Sequence, residues 1–125
     1  MSKVLIEKTV VASEQWKLFF NQGNAEGCAS MYEKDAQMVA KPFGLFQGRE
    51  QIQAFWENLV AQGFSEVSYL DTKIEVVDDA STVLSSNWKM NKAQGVITRE
   101  LWVLQEDGTM RLREDHFEAL DPSVK

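Results

Sequence analysis

The chain has a single cysteine, Cys28, so an internal disulfide cannot form and a reducing, cytoplasmic setting is the expectation. Its single histidine, His116, has no second His or Cys nearby, which leaves too few ligands for zinc. Gly-rich phosphate loops are absent as well. Neither a metal nor a cofactor is expected. Apolar runs are short, the longest being of the kind Leu101 to Leu104, against the ~20 residues that span a bilayer. Lys3, Glu7, Lys8 and Glu14 interrupt any signal-peptide core at the start. Basic residues are few and scattered, 13 against 19 acidic for a net charge of −6, and such a surface repels phosphate backbones. No nucleic-acid or membrane partner is expected. Repeats, low-complexity tracts and Pro/Gly-rich linkers are missing too, so residues 1–125 read as one domain.

What is present is an ordinary complement of core formers, with 44% apolar and 26% charged residues. Thr9, Ala12, Trp16, Phe19 and Phe20 recur at helical spacing, predicting a helix over roughly residues 4–21 that Gln22-Gly23 ends. Asn24 is a good N-cap for a short second helix carrying Cys28, Met31 and Tyr32. Ile52, Phe55, Trp56, Leu59 and Val60 form the clearest stripe, between Gly48 and Gly63. Ala36 to Lys41 reads as a strand stopped by Pro42, with a turn at Phe43-Gly44. After Gly63 the period changes from 3.6 to 2. Leu70 to Val76, Leu84 to Met90, Val96 to Gln105 and Thr109 to Leu120 read as strands, the last stopped by Asp121-Pro122. Helices first and an antiparallel meander afterwards is an α+β signature.

The strand at 96–105 bears on assembly. Ile97, Leu101 and Val103 fall on one face by parity, Trp102 and Leu104 on the other. Helices cover only one face of a sheet, so a homodimer through the other face is expected.

The segments Met31-Tyr32-Glu33-Lys34-Asp35-Ala36, Pro42-Phe43-Gly44 and Gly48-Arg49-Glu50-Gln51-Ile52 resemble the ketosteroid isomerase branch of the nuclear transport factor 2-like superfamily. Asp107-Gly108 sits where that branch has its penultimate turn, and Glu114-Asp115-His116-Phe117 resembles the SnoaL-like group of small polyketide cyclases. The likeness runs in order over nearly the whole chain. It implies a cone: a strongly bent antiparallel sheet wrapped around three helices, enclosing an apolar cavity open at one end. The superfamily hosts isomerases, dehydratases, epoxide hydrolases, cyclases and non-catalytic binders, so the likeness speaks for fold more than for function.

In ketosteroid isomerase an aspartate base shuttles a proton while a tyrosine and a protonated aspartate hold the oxyanion. The resemblance carries the base onto Lys41, the tyrosine onto Trp16 and the second aspartate onto Glu100. An ammonium cannot accept a proton until it loses one, and an indole N–H is not a useful acid. Steroid isomerisation by that mechanism is therefore not expected. If the family's inward face holds, Lys41, Glu100, Arg113 and Asp115 approach one cavity, where they act as acid and base or pair as a structural ion network.

Asp115 is the expected proton carrier, because SnoaL-like relatives use an acidic or His residue on a late strand. Adjacent strand residues face opposite ways, so a register shifted by one brings Glu114 and His116 inside instead. Trp16 and Phe117 fall on the family's pocket positions, and Phe20, Trp102, Arg113 and Val39 complete the expected lining. Phe55 and Trp56 read as packing, and Cys28 as inert core. The reading that follows is a cofactor-independent acid–base enzyme of isomerase, cyclase or dehydratase type acting on a small hydrophobic molecule. The alternatives are a ligand-binding protein without turnover on the same scaffold, or a dimeric association module.

Overall fold

A computed structural model describes residues 2–120. In chain order the elements are α1 (Ser2–Asn21), α2 (Ala25–Ser30), β1 (Tyr32–Lys41), β2 (Gly44–Gln47), α3 (Arg49–Ala61), β3 (Ser68–Asp78), β4 (Ser81–Lys89), β5 (Gln94–Leu104) and β6 (Met110–Leu120). The stop read at Asp121-Pro122 lies outside the described residues.

Leu5, Thr9, Ala12, Trp16 and Phe20, three or four residues apart, give α1 one buried stripe. Asn24 caps α2, its side chain accepting from the Gly27 N–H at 2.8 Å. That helix stops at Ser30, and Tyr32 is the first residue of β1 instead of a helical residue. Tertiary bonds decide this. The Leu112 N–H donates to the Met31 carbonyl at 2.8 Å, and Arg49 Nη2 donates to the Tyr32 carbonyl at 2.7 Å. The stretch after Pro42, read as a turn, continues into β2, which pairs antiparallel with β1.

The sheet has the order β2-β1-β6-β5-β4-β3 and is antiparallel except for the parallel β1–β6 pair. It curves around the helices, and the core lies between them and its concave face. Two irregularities set which side chains enter that core. Leu101 pairs with Glu114 and Trp102 with Leu112, so Arg113 is an extra residue in β6; Ile97 pairs with Phe117 and Arg99 with His116, so Thr98 is an extra residue in β5. Each inserted residue reverses the alternation beyond it. Ile97, Glu100 and Trp102 are consequently buried together, away from Leu101, which corrects the face set read from strict parity.

Gly95 marks the tightest approach in the sheet. A Cβ there would lie 2.0 Å from the Glu118 carbonyl oxygen and 2.6 Å from the Trp88 ring. Gly95→Ala is expected to cost about 1–3 kcal/mol through overpacking, read as a lower urea midpoint. An unchanged midpoint would count against the contact.

Candidate functional site

Between the helices and the concave face lies a cavity of about 360 Å³, within the size range of small-molecule sites. Its walls are almost wholly apolar. Trp16 comes from α1, Phe55, Trp56 and Leu59 from α3, and Trp88, Ile97 and Phe117 from the sheet. The rings interlock: Trp16 meets Trp56 edge-on at 5.0 Å, and Trp56 stacks on Phe117 at 5.7 Å. Phe43 and Leu120, both exposed, stand at the rim together with Lys92.

Two carboxyl groups, Glu100 and Asp115, interrupt this apolar lining. They are 5% and 3% exposed and are direct partners across the β5–β6 pair, a relation that brings Cβ atoms to roughly 4.5–5.5 Å. Each has one protein donor. The Tyr32 hydroxyl donates to Asp115 Oδ2 at 2.6 Å, and the Trp102 indole N–H donates to Glu100 Oε1 at 3.0 Å. Trp56 Nε1 donates in turn to the Tyr32 hydroxyl at 3.2 Å. Asp115 Oδ1 is buried without a hydrogen-bond partner, and among the described residues neither acid joins a salt bridge.

Burial therefore governs both groups. It pushes the Asp115 carboxyl up to about 7, against the pull of the Tyr32 hydrogen bond. Glu100 is raised well above the usual carboxylate range, by burial first and by the charge of Asp115 second. Two such carboxyls side by side cannot both ionise cheaply, so the pair retains a proton near neutrality. The Tyr32 phenol is raised too, by burial and then by Asp115, and remains a donor.

Of the residues expected at the site, Trp16, Glu100, Asp115 and Phe117 line the cavity. Lys41 does not: it is exposed on β1, pointing away from the buried Ala40 side. Arg113 is exposed as well, because as the inserted residue of β6 it leaves the concave face, and it forms a forked pair with Glu33 at 2.7 and 3.2 Å. His116 and Val39 are half-buried register partners between β6 and β1, on the opposite face from Asp115. Phe20 and Trp102 are fully buried behind the lining. Four ionisable groups at one cavity thus reduce to two acids, and the structural ion network is not formed there.

Sequence patterning misassigned three of the residues that shape the site. Phe55 and Trp56, assigned to packing, have their stripe on the cavity. Tyr32, assigned to a helix, anchors Asp115 from β1. The signal for Tyr32 was present in principle: a tyrosine two residues after the helix-ending Ser30, opening a segment in which Ala36, Met38 and Ala40 alternate inward.

No family model matches the chain, and no curated protein matches it. Solved structures do. A ketosteroid isomerase-like protein from Erwinia carotovora atroseptica superposes with a TM-score of 0.75 at 11% identity, over 90% of this chain and 93% of that one. A candidate scytalone dehydratase from Novosphingobium aromaticivorans gives a TM-score of 0.79 at 14% identity, over 97% and 89%. A candidate calcium/calmodulin-dependent protein kinase II association domain from Xanthomonas campestris gives 0.78 at 17% identity, over 93% and 87%. At these identities the likeness establishes architecture alone. The chain has the α+β fold of the nuclear transport factor 2-like, cystatin-like group, a curved sheet around N-terminal helices.

Proposed function

We propose that the chain is an acid–base enzyme of isomerase, dehydratase or cyclase type that moves protons within a small hydrophobic substrate. One observation carries the reading: two buried carboxyl groups, adjacent and without a cation, face an otherwise apolar cavity. Their unequal donors divide the labour. The 2.6 Å bond from Tyr32 falls in the range of about 2.5–2.7 Å for charge-assisted O–H···O⁻ contacts and favours the anion on Asp115. The longer indole bond favours it less, so the retained proton belongs on Glu100. Asp115 takes a proton from the substrate, Glu100 gives one, and transfer between the neighbouring carboxyls restores the pair. The dehydratase-like and isomerase-like neighbours support this reading as compatible scaffolds.

The test is a panel of small methyl ketones in deuterium oxide. Binding is followed through quenching of the cavity tryptophans, and exchange of the α-protons by NMR. Exchange above the buffer rate is expected for at least one ketone. Binding without exchange throughout would move the chain to the alternative, a ligand-binding protein without turnover, which the outward position of Lys41 favours.

The same proposal includes a homodimer. Val39, Val83, Val96 and Leu101 are half-buried on the sheet face away from the helices, and the neighbouring association domain supports assembly on this scaffold. Sedimentation velocity should find a dimer that Leu101→Glu converts to a monomer. A wild-type chain that is monomeric at micromolar concentration would remove the proposal.

A further inference from the structure

Near neutrality the Glu100–Asp115 pair carries charge that no salt bridge among the described residues balances. Asp115 is 3% exposed, lines the cavity, and has its Oδ1 buried without a hydrogen-bond donor. Two lysines touch the aromatic walls, and both are engaged elsewhere. Lys17 pairs with Glu14 at 3.0 Å and lies over the Tyr69 ring at 4.5 Å. Lys92, at the rim, donates to the Gln62 carbonyl and lies over the Phe64 ring at 4.9 Å. A buried anion without a partner is costly, which is why the pair holds on to a proton.

A ligand that relieves this cost must bring a hydrogen for Oδ1. A hydrocarbon leaves the oxygen unpartnered, and a pure acceptor offers nothing to a carboxylate. A neutral alcohol supplies one ordinary hydrogen bond. An alkylammonium supplies N–H groups and positive charge together, and charge-assisted hydrogen bonds are roughly twice as strong as neutral ones. The walls suit such a cation as well. Trp16, Trp56, Trp88 and Phe117 surround the space, and aromatic rings attract organic cations, whereas a hard metal ion needs several oxygen ligands that these walls lack. The Trp16 and Trp88 indole N–H groups, also buried without partners, can take an acceptor on the ligand's body and do not bear on its charged end. The net charge of −6 favours the approach of a cation.

We propose that the cavity takes a small apolar amine in its ammonium form, its N–H groups bonding Asp115 Oδ1 beside Glu100 and its hydrocarbon body lying among the tryptophans. This rests on the reading of the pair as the groups that face the ligand; proton transfer is not required. Where Asp115 still holds a proton, binding sends that proton to solvent and the ammonium takes its place. Few other groups titrate alongside. The phenols of Tyr32 on β1 and Tyr69 on β3 are shifted upward, and burial pushes the Cys28 thiol on α2 up to about 12. Lys17 on α1 offsets the rise of Glu100 only in part, and α3 and β4 put no ionisable side chain on the lining.

The experiment compares 2-phenylethylamine with 2-phenylethanol, which match in shape and differ in charge, by calorimetric titration. At about pH 7.5 the wild-type protein should bind the amine at least about tenfold more tightly. Between about pH 8 and pH 5 the amine, which stays charged as lysine does, should lose roughly tenfold or more in affinity as the proton returns to the pair, while the alcohol changes by less than about threefold. Titrations near pH 6 in two buffers of different ionisation enthalpy should show close to one proton released with the amine and none with the alcohol. Those readouts need no variant to fold. In the Glu100→Gln, Asp115→Asn double variant the amine preference and its pH dependence should both vanish. A wild type that binds neither probe, binds the two alike, or takes up the amine without releasing a proton would overturn the proposal, as would a preference that survives in the double variant. Amine selection without α-proton exchange of ketones removes the acid–base reading and leaves the ammonium site; exchange without amine selection does the reverse.

Discussion

Replacing Asp115 by asparagine is expected to slow α-proton exchange by roughly a hundredfold to ten-thousandfold, the range for losing a positioned general base. The substitution is nearly isosteric, and the amide oxygen can still accept from Tyr32, so the cavity keeps its shape. Only the proton acceptor is lost. Ketone affinity measured by tryptophan quenching should therefore change by less than about threefold while the exchange rate collapses. Exchange at the wild-type rate in the variant would remove Asp115 as the carrier. A parallel loss of affinity and rate would instead mean that the side chain holds the cavity open.

The second large effect concerns stability against pH, and its sign is opposite to that of a protein held by carboxylate salt bridges. Asp115, pushed from 3.8 up to about 7, and Glu100, raised as well, keep protons in the folded state that the unfolded chain has already released. The unfolded state then binds fewer protons, so stability is full below about pH 4 and falls as pH rises through 7. At about 1.4 kcal/mol per pH unit of displacement, Asp115 alone accounts for a loss of roughly 4 kcal/mol. Groups shifted downward act elsewhere. Asp78, held low by the Ala80 N–H and Ser81, and Asp107, held low by Thr109, favour the folded state above their unfolded values and lose that below about pH 4. Glu33, raised by partial burial but lowered further by Arg113 and Gln105, adds to them. Urea unfolding should place the optimum in weakly acidic buffer. The Glu100→Gln, Asp115→Asn double variant should lose the decline between pH 5 and 8, and a wild-type profile that is flat there would contradict the burial argument.

The fold was legible because its large-scale signals are local. The α1 and α3 stripes, the Asn24 cap and the change of period after Gly63 are set by neighbours in sequence, and the elements formed close to where those signals put them. The resemblance at Met31 to Ala36 and Gly48 to Ile52 supplied the arrangement. The site was only partly legible, and the failures share a physical cause. Tyr32 was lost because Arg49 and Leu112, distant in sequence, claim its backbone region for the sheet. Arg113 was placed inside by counting in twos through a strand that does not alternate uniformly. Glu100 and Asp115 could each be pointed inward by parity, but that they are cross-strand partners is a matter of register.

The inserted residue in β6 also bears on how such a chain can change over time. Arg113 stands outside the pairing, and the register beyond it decides whether the acid or the imidazole looks into the hollow. Point replacement leaves that choice untouched, whatever residue is tried at 115 or 116. Loss of Arg113 would make Leu112 and Glu114 successive partners and keep Asp115 opposite Glu100, whereas gain of one regularly paired residue after Glu114 would turn Asp115 outward and His116 inward. The hollow therefore tolerates loss of the inserted residue and answers only to a change of length in the paired stretch beyond it.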